Sequence, residues 1–145
     1  MTETKIVATP GSQDVALTRI FDAPRELVYR VYTDPELLPD WWGPDQYTTT
    51  VDRMDVRDGG SWRFIQRGAD GTEHAFHGVY HTADGERIVQ TFEYEGAPGH
   101  VMLETTVFAD IGGGRTKVTN TSVFQSPAER DATLATGMTD GAVRS

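Results

Sequence analysis

Apolar and polar positions along the chain follow two rhythms, and the change between them divides the sequence. From Asp14 to Phe21 they exchange at every residue: Val15, Leu17, Arg19 and Phe21 fall on one side, and Ala16, Thr18 and Ile20 on the other, which predicts a strand. Asp22-Ala23-Pro24 then offers a cap and a proline near a first helical position, and Leu27, Val28, Val31 and Tyr32 share one helical face. This predicts a short helix to about Thr33. Asp34-Pro35-Glu36 restarts the same signal before Leu37 and Leu38, so a second, brief helix is expected, closed by Pro39.

Beyond Trp41-Trp42-Gly43-Pro44 the period becomes two. Tyr47–Met54, Ser61–Arg67, Glu73–Ala83, Arg87–Tyr94, His100–Phe108 and Thr116–Phe124 read as strands rich in β-branched and aromatic residues. The links between them are short and glycine-bearing, among them Asp58-Gly59-Gly60, Ala83-Asp84-Gly85 and Gly112-Gly113-Gly114, and such links join antiparallel neighbours. Ser126-Pro127-Ala128-Glu129 has capping-box spacing and opens a helical stretch through Leu134 and Met138. Residues 1–13 read as a flexible lead-in to a single domain over 14–145.

An antiparallel run with one long element after it predicts an α+β fold, in which a curved sheet of about six or seven strands is covered by the terminal helix. Alternation assigns the faces. Trp62, Phe64 and Gln66 point inward and Arg63, Ile65 and Arg67 outward; Phe76, Gly78 and Tyr80 oppose His77, Val79 and His81; Ile88, Gln90, Phe92 and Tyr94 oppose Val89, Thr91 and Glu93. In the next strand Val101, Leu103, Thr105 and Val107 are placed inward and Met102, Glu104, Thr106 and Phe108 outward. Gln66, Gln90, Thr105 and Asn120 among large aromatics need hydrogen-bond partners, which points to a pocket rather than a solid core.

With 145 residues, one domain can bury its own core without metal or disulfide, in keeping with the absence of cysteine. A reducing, cytoplasmic setting is expected. Thirteen Lys and Arg against 22 Asp and Glu give a net charge of −9, which opposes nucleic acid and anionic membranes as partners.

Phe21-Asp22-Ala23-Pro24, Val28-Tyr29, Asp34-Pro35 and Trp41-Trp42-Gly43-Pro44, followed by Gly59-Gly60-Ser61-Trp62-Arg63-Phe64, Gly78-Val79-Tyr80, Glu86 to Phe92, Gly114-Arg115-Thr116 and Gly137-Met138, resemble the START-like (SRPBCC, Bet v 1-like) superfamily. The resemblance is to its branch related to activators of the heat-shock protein 90 ATPase, and it spans about Val15 to Gly141. It implies a helix-grip fold: two short helices after the first strand, and a cavity between the curved sheet and a long C-terminal helix. In that family the last helix presents apolar residues well past the Gly-Met step, whereas here Asp140 and Gly141 are poor helix formers and few apolar residues follow. Either the helix is shortened, or a neighbouring subunit in a homodimer supplies the missing cover.

Catalytic and metal chemistry find little footing. His77 and His81 lie roughly 13 Å apart along a strand and His74 has the opposite parity to both, so the three do not converge on one ion. No metal or cofactor is expected, and the histidines read as surface residues. Asp55 with Asp58 and Glu93 with Glu95 sit at a turn and on the outward face, and Glu104 is placed outward, so no carboxyl is assigned to acid-base work. Gly60-Ser61-Trp62 lacks the turn that exposes a serine nucleophile, and the triple glycine lies between strands rather than before a helix. The Trp41-Trp42 pair reads either as a lid over the pocket or as the plug that seats the small helices on the sheet, or with one tryptophan doing each.

The expected function is binding of a small hydrophobic ligand by Trp42, Trp62, Phe64, Phe76, Tyr80, Gln90, Phe92, Leu103, Thr105, Asn120 and Met138. The resemblance implies two alternatives: a chaperone-interacting protein like the activators of the heat-shock protein 90 ATPase, and an enzyme like the polyketide cyclases and aromatases. With no catalytic motif, the balance is against an enzyme.

Overall fold

The structure is a computed structural model in which residues 4–135 are described. Its elements are β1 (Lys5–Val7), β2 (Asp14–Phe21), α1 (Arg25–Thr33), a 3-10 turn (Leu38–Asp40), β3 (Thr48–Met54), β4 (Ser61–Arg67), β5 (Glu73–Ala83), β6 (Arg87–Tyr94), β7 (Val101–Gly112), β8 (Arg115–Val123) and α2 (Pro127–Ala135). The eight strands form one antiparallel sheet in the order β1-β2-β8-β7-β6-β5-β4-β3. From β3 to β8 this is a meander. β2 then returns to pair with β8, so the chain's first long strand lies beside its last.

The period-two reading recovers β2, β4, β5 and β6 at their observed limits. Three differences have physical reasons. Lys5–Val7 lies in the stretch read as a lead-in, but it pairs with β2 as an edge strand through Lys5↔Thr18 and Val7↔Ala16. Three residues are too short a run to show a period. At the start of α1 the cap position is Pro24 and no side chain caps it, so the fixed φ of proline stands in for the expected Asp22. The brief second helix is a turn from Asp34 followed by the 3-10 segment, with Pro39 inside it.

Phe108, 1% exposed, seats α1 on the sheet, with Tyr29 and Tyr32 each meeting its ring edge-on at 5.1 Å. Trp41 donates its indole N–H to Val31 O at 2.9 Å and lies 4.7 Å from the Tyr32 ring, tying the following turn to the same helix. At the other end, Ser126 accepts the Glu129 N–H at 3.1 Å, which is one half of the expected capping box. Buried Arg130 donates to Thr9 O at 2.6 Å and Asp14 O at 3.2 Å, holding α2 to the start of β2. Leu134 packs against the core. Gly137, Met138 and the rest of the C-terminal segment lie outside the described residues.

The assignment of faces along β7 is reversed. The pairs Phe92↔Met102, Gln90↔Glu104 and Ile88↔Thr106 place Met102, Glu104 and Thr106 on the inner face, followed by Phe108. Leu103, 45% exposed, and Thr105 therefore point to the opposite side. Both alternating sets of this strand carry apolar residues, so alternation alone has no preference; pairing with β6 decides. On the outer face Leu103 lies opposite Val123, an aliphatic pair in which each side chain shields the other.

Candidate functional site

Between the inner face of the sheet, α1 with its following turn, and α2 lies a cavity of about 790 Å³. Trp42 crosses one side of it. Its ring meets Phe64 at 5.1 Å, Phe76 at 5.3 Å and Phe92 at 6.4 Å, so four aromatic residues from β4, β5, β6 and the loop before β3 form a continuous wall. Thr49 fixes this loop by donating its hydroxyl proton to Trp42 O at 2.9 Å. Gly43 is needed beside it, because a Cβ there would sit 1.6 Å from Gln66 Nε2, and its φ of +84° favours glycine.

Of the expected binding residues, Trp42, Phe64, Phe76, Tyr80, Gln90, Phe92 and Asn120 line this cavity. Trp62 stands behind the wall, 1% exposed, with its ring 4.6 Å from Phe64 and 5.7 Å from Phe92, so it supports the lining without forming it. Leu103 and Thr105 are on the far side of the sheet. Met138 lies outside the described residues. Trp41 is joined to α1 and Trp42 lies against the aromatic wall, and both reach the cavity.

Two polar groups enter the cavity that alternation did not assign to it. The first surrounds Glu104. Register sets Gln90 of β6 opposite Glu104 of β7, and Glu104 opposite Ser122 of β8, so three neighbouring strands form a polar row across the floor. Ser122 Oγ lies 3.2 Å from Glu104 Oε2 and 3.4 Å from Asn120 Oδ1, and Asn120 donates from Nδ2 to Thr106 Oγ1 at 2.8 Å. Glu104 lines the cavity. Burial raises its carboxyl above the ordinary range, and hydrogen bonds from Ser122 and Asn120 offset part of that rise.

The second is His74, whose Nδ1 is 2.7 Å from the Tyr94 hydroxyl and whose ring meets Tyr47 edge-on at 5.8 Å. It was read as a surface residue, yet it lines the cavity. Gln66, buried opposite it on β4, has an Nε2 with no hydrogen-bond partner. The other histidines lie elsewhere. His77 contacts Glu95 at 2.9 Å and Glu93 at 3.4 Å on the outer face, His81 is exposed, and His100 pairs with Glu129. Among the described residues, no three His, Cys, Asp or Glu side chains gather to hold a metal ion. None of the described helices is long and apolar enough to cross a membrane.

The outer face carries its own ion-pair network. Arg63 donates to both oxygens of Glu95, at 2.8 and 3.0 Å, and to Asp52 at 3.4 Å. The guanidinium of Arg63, aided by His77, holds the Glu95 carboxyl down at about 2.

Glu104 and Glu95 therefore make opposite contributions to stability against pH. A carboxyl whose folded pKa is raised keeps a proton that the unfolded chain has released, so stability falls as pH rises from the ordinary glutamate range through the raised value. Glu104→Gln removes that loss: the variant is expected to be more stable than the parent at pH 8, with the difference closing toward pH 4. Urea melts at the two pH values check this. The Glu95 contribution is present above the unfolded glutamate value and disappears as pH falls through about 2.

Comparison with known proteins follows the same architecture. A protein from Rhodobacter sphaeroides superposes with a TM-score of 0.89 at 26% identity, covering 99% of this chain and 92% of its own. A protein from Arthrobacter aurescens gives 0.87 at 23% identity, with 94% and 83% covered. The AHSA1 protein from Silicibacter pomeroyi gives 0.73 at 16% identity, with 90% and 92% covered. No curated protein matches the chain. The model of the family described as Activator of Hsp90 ATPase homolog 1-like protein matches residues 22–145, and the chain belongs to that family.

Proposed function

We propose that the protein binds a small, largely apolar molecule in the cavity between the sheet and its helices. The observation that carries this reading is the wall of Trp42, Phe64, Phe76 and Phe92 around a space of about 790 Å³. That volume lies within the range of ligand sites, and the mix of aromatic wall and few polar groups is the usual composition of such sites. A solid core would have closed over the Glu104 row, since a buried carboxyl without a full set of partners is costly.

Uptake of Nile red, an uncharged fluorescent probe, tests the reading. The parent protein is expected to take up the probe at a single saturable site. Phe92→Ala, which removes one ring of the wall, is expected to weaken uptake about tenfold, equal to about 1.4 kcal/mol. Arg63→Ala, on the outer face, is expected to leave it unchanged. Equal losses from both substitutions, or no uptake by the parent protein, would overturn the proposal.

A further inference from the structure

The side of the sheet that faces away from the cavity has the pattern of an interface. We infer that two copies of this chain associate face to face through the outer surface of β5, β6, β7, β8 and β2, about a two-fold axis that runs across the strands. The cavity of each copy lies on the other side of its sheet, so this pairing does not depend on ligand binding.

Register lays the outer surface out in rows, because residues paired directly across neighbouring strands share a face. One row runs through Val79, Thr91, Leu103 and Val123: the last three are in register, and the Val79 N–H donates to Thr91 Oγ1 at 2.9 Å. The next runs through Val89, Thr105, Thr121, Ala16 and Val7. A third carries Val107, Thr119 and Thr18, with Arg87 at one end and Lys5 at the other. The twelve positions inside these ends hold no charge, where a surface of ordinary composition would place about three. Among the described residues, five of the eight exposed large apolar side chains lie here, including Val79 and Leu103. A contiguous aliphatic and threonine face of this kind marks an interaction surface.

Charge at the rim selects the partner. Glu93 lies beyond the first row, opposite Val101, and Asp14 closes that row beside Val123. Arg87 and Lys5 close the third row, and Lys117 lies just past it, opposite Ala109. Arg63 and His77 at the acidic end are both paired with Glu95. The face thus runs from acid to base along the strands, which is what a self-complementary surface requires. A two-fold axis laid between the first and second rows sets Glu93 against the partner's Arg87, Val101 against the partner's Val107 and Leu103 against the partner's Thr105. With a net charge of −9, two copies meeting through acidic surface would repel, and this face avoids that repulsion.

The area suffices. Five strands about 4.8 Å apart and four rows about 6.8 Å apart span about 650 Å² per copy, or about 1,300 Å² for the pair. Specific interfaces begin near about 1,200 Å², which puts this one among the weak and reversible dimers. Sheets packed face to face keep their strands within about 30° of each other, so the rows nearest the axis stay in contact.

Sedimentation equilibrium of the full chain at pH 7, from about 1 to about 200 µM, tests the inference. The parent is expected to approach twice the chain mass with a Kd on the order of 10 µM. Leu103→Lys and Thr105→Arg each set a cation against the uncharged rows, and each is expected to weaken the dimer about tenfold or more with an unchanged circular dichroism spectrum. Leu27→Lys, at a comparably exposed position on α1, is expected to leave the dimer as it is. Arg87→Glu and Glu93→Arg are each expected to weaken association about tenfold, and the two together to restore it to within about threefold of the parent. A monomer at about 200 µM overturns the inference, and so does a dimer that survives both Leu103→Lys and Thr105→Arg or is lost in Leu27→Lys. A double variant no tighter than the single ones also overturns it, because the two charges then do not meet across the axis.

Discussion

Phe108→Ala is expected to lower folding stability by about 4 kcal/mol, the cost of removing a large aromatic from a packed core. The ring is 1% exposed and is where Tyr29 and Tyr32 rest, so its loss empties the seat of α1. Leu103→Ala on the same strand supplies the contrast. Leu103 is 45% exposed on the outer face, and its truncation is expected to cost less than about 1 kcal/mol. Urea unfolding of the two variants side by side measures the orientation of β7. A larger loss from Leu103→Ala would return the strand to the facing that alternation alone suggested, and would remove Glu104 from the cavity.

Gly78→Ala has the second largest expected effect, a loss of about 3 kcal/mol. A Cβ at this position would lie 1.9 Å from Thr91 O and 2.6 Å from Trp62 Nε1. The first contact is backbone on the neighbouring strand, so the sheet must open to relieve it. The second is the indole that backs the aromatic wall, and displacing it disturbs Phe64 and Phe92 as well. Nile red uptake is therefore expected to fall along with stability, although the substitution adds only one methyl group. Thermal or urea unfolding within about 1 kcal/mol of the parent would mean that β5 and β6 are not held this closely.

Much of this architecture is legible in the sequence because most of the long strands carry their own period and the turns between them carry glycine. Ser61–Arg67, with Trp62, Phe64 and Gln66 against Ser61, Arg63, Ile65 and Arg67, can be oriented without reference to any other segment. β7 cannot. Val101, Leu103 and Val107 are as apolar as Met102 and Phe108, and what separates the two sets is the partner strand: Gln90 faces Glu104. Register is a property of two segments together, so single-strand alternation placed Leu103 and Thr105 in the site and left Glu104 out.

His74 is the opposite case. Its parity differs from that of His77 and His81, and this sets it with Phe76 and Tyr80 on the inner face. The same parity that separates it from His77 and His81 places it on the cavity side. The hydrogen bond to Tyr94 comes from the neighbouring strand, where His74 reaches diagonally past the Phe76↔Tyr94 pair. The edge strand β1 lies beyond single-sequence reading for another reason: three residues gain their pairing from β2 and not from any pattern of their own.

Mass spectrometry of freshly purified protein, first under native and then under denaturing conditions, tests ligand binding most directly. The cavity reading predicts a discrete added mass that departs on unfolding, belongs to a small, largely apolar molecule, and is depleted in Phe92→Ala but retained in Arg63→Ala. A bare chain mass under native conditions, from a protein that also excludes Nile red, would contradict it.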